Sequence, residues 1–103
     1  MNMTGRKPFS PGDILLEEFM QPYGLTQEDL ANRIHVARRR INEIINGKRS
    51  ITPDTALRLA KLFKVSPEFW LNLQAKYDIR IELHNKKIMH ALKNIKAMTK
   101  RAA

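Results

Sequence analysis

The sequence predicts an all-α fold, five short helices over residues 11–74 followed by a further amphipathic helix, and three observations carry it. Helix-start punctuation recurs along the chain, the apolar residues between the starts keep three- and four-residue spacing, and no segment sustains the alternation of a strand. The starts Ser10-Pro11, Thr52-Pro53 and Ser66-Pro67 are each followed by a carboxylate, Asp13, Asp54 or Glu68. Proline drives its predecessor into the extended geometry of an N-cap and suits the first helical position itself, while the carboxylate meets the positive end of the helix dipole. Thr26 followed by Asp29 is a fourth start, a capping box with Asp in place of Glu.

Each element follows in order. The first helix opens at Pro11, carries Leu15 and Phe19 on one face, and stops at Gln21-Pro22-Tyr23-Gly24. Leu30, Ala31 and Ile34 give the second its apolar stripe; Ile41, Ile44 and Ile45 give the third, which Asn46-Gly47 closes because glycine accepts the left-handed conformation. Ala56, Leu59, Ala60 and Phe63 mark the fourth, and Phe69, Trp70 and Leu73 the fifth. Beyond Tyr77 the pattern changes to Ile81, Ile88, Leu92 and Ile95 among lysines and arginines, without glycine or proline. The chain therefore divides into a flexible arm at 1–9, a domain at 10–78 and a basic helical extension at 79–103.

With 103 residues, 43% of them apolar, the chain supports one small core. It has no cysteine, which excludes disulfides, cysteine nucleophiles and cysteine-based zinc sites. No apolar run approaches the ~20 residues that cross a bilayer, and no signal-peptide pattern follows Arg6-Lys7, so a soluble cytoplasmic protein is expected. Nineteen Lys plus Arg against ten Asp plus Glu give a net charge of +9, pointing to a polyanion: nucleic acid or an anionic membrane surface. That charge is uneven. Residues 1–25 are net −1, 26–74 net +4 and 75–103 net +6. Arg33, Arg38, Arg39, Arg40, Lys48 and Arg49 cluster within seventeen residues, opposed there by Glu43 alone.

Residues 26–45 form a unit. Two helices of about eight residues, each ~12 Å long, are joined by a short link around His35, which forces a steep crossing. Ala31 is small where the second helix presses closest, and Ile34, Val36, Ile41 and Ile44 supply the wedge: the anatomy of a helix-turn-helix. With the isoleucines turned inward, Arg38, Arg39, Arg40, Asn42 and Glu43 stay outside. Arginine can give paired donors to guanine, asparagine can pair with adenine and glutamate can accept from cytosine. Arg38, Arg39, Asn42 and Glu43 are thus the expected base readers, and Gln27, Arg40, Lys48 and Arg49 the expected phosphate contacts.

The run Arg39-Arg40-Ile41-Asn42-Glu43-Ile44-Ile45-Asn46-Gly47-Lys48-Arg49-Ser50-Ile51-Thr52-Pro53-Asp54-Thr55-Ala56-Leu57-Arg58-Leu59-Ala60, followed by Ser66-Pro67-Glu68-Phe69-Trp70-Leu71-Asn72-Leu73-Gln74, resembles the HigA, or VapI-like, antitoxins. These belong to the lambda-repressor-like helix-turn-helix proteins, and the resemblance spans about residues 9–80. It implies a homodimeric antitoxin that binds a HigB-like, mRNA-cleaving toxin and represses its own operon. Two positions depart from the family pattern. His35 stands where glycine is usual in the turn, and Ala37 where Ser, Thr or Pro commonly opens the reading helix.

On that reading Trp70 and Leu73 are candidate dimer contacts, and Asp13, Glu17 and Glu18 a candidate docking face for a basic toxin. No catalytic set emerges and no cofactor or metal is implied: His35, His84 and His90 lack ligand spacing with a carboxylate. The basic tail admits a DNA-extending, a membrane-surface or a dimerising role, of which the last is favoured. A stand-alone phage- or plasmid-type repressor is the second functional class. An RNA-binding or membrane-surface module comes third, because no aromatic interleaves with the basic cluster to stack unpaired bases.

Overall fold

The computed structural model describes residues 9–101 and is all-helical over them. Its elements are α1 (Pro11–Ile14), which runs directly into a π-helical stretch (Leu15–Met20), α2 (Gln27–Ile34), α3 (Arg38–Ile45), α4 (Pro53–Phe63), α5 (Pro67–Leu83) and α6 (Lys86–Lys93). The arm expected at 1–9 lies outside the described residues except for Phe9.

Side-chain caps form at three of the four starts the sequence places. Ser10 and Asp13 close a reciprocal box at α1, with bonds of 3.0 and 3.1 Å, and Thr26 and Asp29 close another at α2, with two of 3.0 Å. Ser66 accepts from the Phe69 N–H at 3.2 Å to open α5. Thr52 makes no side-chain cap, and Pro53 alone sets the entry to α4.

Two features depart from simple periodicity. The π-helical ladder shows in the Gln21 N–H donating to the Leu16 carbonyl at 2.9 Å, five residues back. In an α-helix residues five apart diverge by about 140°, whereas a five-residue ladder brings them close to alignment. Leu15 and Met20 are thereby both turned into the core, each at most 1% exposed. The second departure is at the C-terminal end. α5 is one helix across residue 78, the boundary read from the sequence, and the expected amphipathic continuation is broken at Asn85. The Asn85 side-chain Oδ1 accepts from the Lys87 N–H at 2.9 Å and starts α6 as a separate helix.

The core gathers Leu15 of the π-helical stretch with Leu30, Ile34, Ile41, Ile44, Leu59 and Trp70 of α2 to α5. Around Trp70 lies an aromatic cluster: Phe19 at 4.7 Å between ring centroids, Phe69 edge-on at 5.1 Å, and Phe63 at 5.1 Å from Phe19. No residue of α6 is buried, and it packs on α5. Gly12 is where α1 meets α3. A Cβ added there would fall on the Ile44 carbonyl oxygen and lie 2.8 Å from the Ile45 Cα, so α1 seats the end of α3 backbone to backbone.

Gly12→Ala should therefore destabilise the fold by about 1–3 kcal/mol, as overpacking against rigid backbone does. Thermal unfolding measures it, and an unchanged midpoint would show that α1 is free to move off α3.

Candidate nucleic-acid interface

The crossing of α2 and α3 is set by the link between them. α2 ends at His35, which adopts the left-handed conformation at φ 61° and ψ 47° that the turn requires. Histidine takes it at modest cost. A brace from α4 holds this turn. The Arg58 guanidinium donates to the Ile34 carbonyl at 2.8 Å and the His35 carbonyl at 3.3 Å, while its Nε donates to Asp54 at 2.7 Å. The same Asp54 oxygen accepts from Arg40 at 2.8 Å, so one carboxylate joins the turn, α3 and the start of α4. Hydrogen bonds from Arg58 and then Arg40 hold the Asp54 carboxyl below its ordinary value.

Beyond the brace, α3 presents a polar strip. Ile41 and Ile44 are buried and Ile45 half-buried, leaving Arg38, Arg39, Asn42 and Glu43 toward solvent to differing degrees. Gln27, at the start of α2, accepts from the Asn42 amide at 3.1 Å and from Arg38 at 3.5 Å; Asn42 in turn accepts from Asn46 at 3.2 Å. Next along the helix, Glu43 accepts from Arg39 at 3.0 Å and from Arg49 at 2.8 Å. Arg49 first and Arg39 second keep its carboxyl below the usual glutamate value. Arg49 comes from the α3–α4 loop, which the Ile51 N–H fastens to α5 by donating to Gln74 at 2.8 Å. Lys48 stands exposed beside it. Ala37 caps α3 without a side-chain bond.

A helix-turn-helix family profile matches residues 16–70. An uncharacterized HTH-type transcriptional regulator of Haemophilus influenzae is 45% identical over 94 residues, 91% of this chain and 88% of its own. Among solved structures, an addiction module antidote protein of a HigA family from Coxiella burnetii is 43% identical. It superposes with a TM-score of 0.81, over 89% of this chain and 99% of its own. The Pseudomonas aeruginosa antitoxin HigA, solved with the higBA promoter, gives a TM-score of 0.82 at 29% identity with the same coverage. The chain belongs to the HigA-like helix-turn-helix family.

In this HigA-like protein the geometry sorts the expected site residues. Gln27, Arg38, Arg39, Asn42, Glu43, Lys48 and Arg49 come together on one face, built from α2's start, α3 and the following loop. Arg40 does not join it: half-buried, it bonds Asp54 and, at 3.3 Å, the Thr55 hydroxyl, and so acts as a brace. Trp70 is 0% exposed and offers no surface to a second subunit, a correction to its reading as a dimer contact; Leu73 is half-buried. Asp13 is committed to the α1 capping box, which leaves Glu17 and Glu18 as the acidic pair available to a partner. Arg58, Asp54 and Asn46 organise this face although none was among the expected site residues; Asp54 and Asn46 were read only as marks of helix ends. Only the four-residue spacing of Asp54 and Arg58 hinted at a pair.

The lowered Asp54 value fixes a pH dependence. The contribution is fully present above the ordinary aspartate value of 3.8 and is lost as pH falls through the lower folded value. Asp54→Asn should lower the melting temperature at neutral pH, and by progressively less as the medium is acidified below that range. A difference from the parent chain independent of pH would remove Asp54 from the brace.

Proposed function

We propose that this chain is the antitoxin of a type II toxin–antitoxin pair, a dimeric operator-binding autorepressor that also neutralises a HigB-like, mRNA-cleaving toxin. The observation that carries the DNA half is the α3 strip, with Arg38, Arg39 and Asn42 side by side on one exposed helix between the Gln27 and Lys48 flanks. Arg38, Arg39 and Asn42 read bases, and Gln27, Lys48 and Arg49 hold phosphates. Each subunit lays α3 in one major groove, so half-sites lie about one DNA turn, ~34 Å, or a multiple apart. A dimer also covers apolar side chains left exposed toward the chain's end, Ile79, Leu83 and Leu92 among them. The toxin half draws support from the HigA relatives and from Glu17 and Glu18, which sit on the π-helical stretch, apart in sequence from the basic strip.

Binding to the DNA upstream of its own gene, against random duplex, tests the first half. Arg39→Ala should lose about 1–3 kcal/mol of discrimination at one base position, whereas Lys48→Ala weakens all sequences alike and flattens the salt slope by about one per subunit. Equal losses on both DNAs for both variants would undo this division of labour.

Co-expression with the neighbouring gene product tests the second. A small ribonuclease should co-purify, and reversing Glu17 and Glu18 to lysine should weaken its capture while the added positive charge tightens binding to upstream and random DNA alike. A chain that represses its upstream DNA with no such partner is a stand-alone repressor.

A further inference from the structure

Glu43 lies on the strip that meets DNA, yet its two carboxylate oxygens are engaged by arginines. Oε2 accepts from Arg39 Nε at 3.0 Å, and Oε1 takes both Arg49 Nε at 2.8 Å and Arg49 Nη2 at 2.7 Å. The second contact brings two Arg49 nitrogens onto one carboxylate oxygen, and both are donors that a phosphate would also attract. The pairs differ in exposure. The Arg39 side chain is 84% and that of Arg49 45% exposed, against 23% for Glu43, so the arginines can leave while the carboxylate stays beneath them. Glu43 thus holds, in the free protein, the same donors that DNA would claim. A glutamate acting as a base reader would instead need its oxygens open to a cytosine amino group.

We infer that Glu43 is a specificity-determining latch: it occupies Arg39 and Arg49 in place of phosphate and releases them only where a DNA sequence offers enough other contacts to α3. The physical reason is an exchange of partners. On any duplex, phosphate oxygens compete with Glu43 for the two guanidinium groups, and moving them leaves a half-buried carboxylate near the phosphate backbone with its hydrogen bonds lost. Random DNA supplies only phosphates and gains little from the exchange. A matching site adds the base-edge bonds of Arg38, Arg39 and Asn42 and drives it. The inference deepens the DNA-binding reading above and assigns Glu43 a positioning role acting through Arg39 and Arg49.

The test is the affinity of the full-length chain for a random-sequence duplex and for its upstream DNA, in Glu43→Gln and in Glu28→Gln. The latter removes the same charge from the exposed start of α2, where no arginine bond is present among the described residues. Glu43→Gln should tighten random-duplex binding roughly three- to tenfold, the scale of two partly exposed ion pairs. It should also steepen the salt slope by up to about two per subunit. Glu28→Gln should do less on both counts, and upstream DNA should gain less than random DNA, so the specificity ratio falls. In an Arg39→Ala, Arg49→Ala background the Glu43→Gln gain should shrink to that of Glu28→Gln. A gain that persists in that background, or one equal in Glu28→Gln, overturns the latch. So does a selective loss on upstream DNA at one base position, which would make Glu43 a base reader. If the parent chain does not prefer its upstream DNA, autorepression fails, while the random-duplex comparison still decides the latch.

Discussion

Asp54 accepts from Arg40 and Arg58 through the same oxygen, and Arg58 reaches past it to the carbonyls of Ile34 and His35. Everything that faces solvent on α3 depends on this junction. A turn in which a non-glycine residue sits at positive φ is held by its surroundings, and here the surroundings are a guanidinium bonded to the last carbonyl of α2 and to that of His35 itself. The carbonyls at that helix end carry the negative end of the dipole, so a cation there is favoured twice, by hydrogen bonding and by the field. The pairs are partly exposed, with side-chain accessibilities of 30–55%, and each alone is worth little. Their value is geometric: they tie α4 to the angle between α2 and α3.

The opposite end of α3 is fixed by contact rather than charge. Gly12 allows α1 to meet the Ile44 carbonyl at backbone distance, and the Ile51–Gln74 bond ties the following loop to α5. α3 is therefore held at its start by α4 and at its end by α1 and α5. A helix so held gives Arg38, Arg39 and Asn42 a fixed base, which the base-edge hydrogen bonds proposed for them require.

Helix starts were legible because caps are local chemistry. Ser10, Thr26 and Ser66 act on amides within three residues, so spacing alone reveals them. His35 was legible through the family resemblance instead, since it stands where glycine is usual, and it takes the left-handed conformation glycine would. The π-helical stretch was not, because its cause is tertiary: the core needs both Leu15 and Met20. Trp70 carries the same lesson. Phe69 and Leu73 beside it show an apolar face, but only the packing of Phe19, Phe63 and Phe69 around it shows that the face is consumed within one chain. On the candidate site, residue type and face were readable, whereas pairing was not. Arg38, Arg39 and Arg40 are adjacent and identical in kind, yet they bond Gln27, Glu43 and Asp54, partners respectively 11 residues before, four after and 14 after. The break at Asn85 left a weaker trace, an asparagine able to cap, inside an otherwise unbroken polar and apolar pattern.

These pairings also change what the net charge of +9 means. Of the six cations between Arg33 and Arg49, Arg39, Arg40 and Arg49 already bond carboxylates. A duplex approaching this face meets fewer unpaired donors than the count implies, and must trade for the rest. Such a trade is nearly neutral when phosphate merely replaces carboxylate, so general attraction is blunted. It is favourable when the released arginine also gains a base edge, because then the number of good hydrogen bonds rises instead of staying level. Excess charge brings the protein to DNA of any sequence. Carboxylates set among the arginines make the stay depend on what the bases offer.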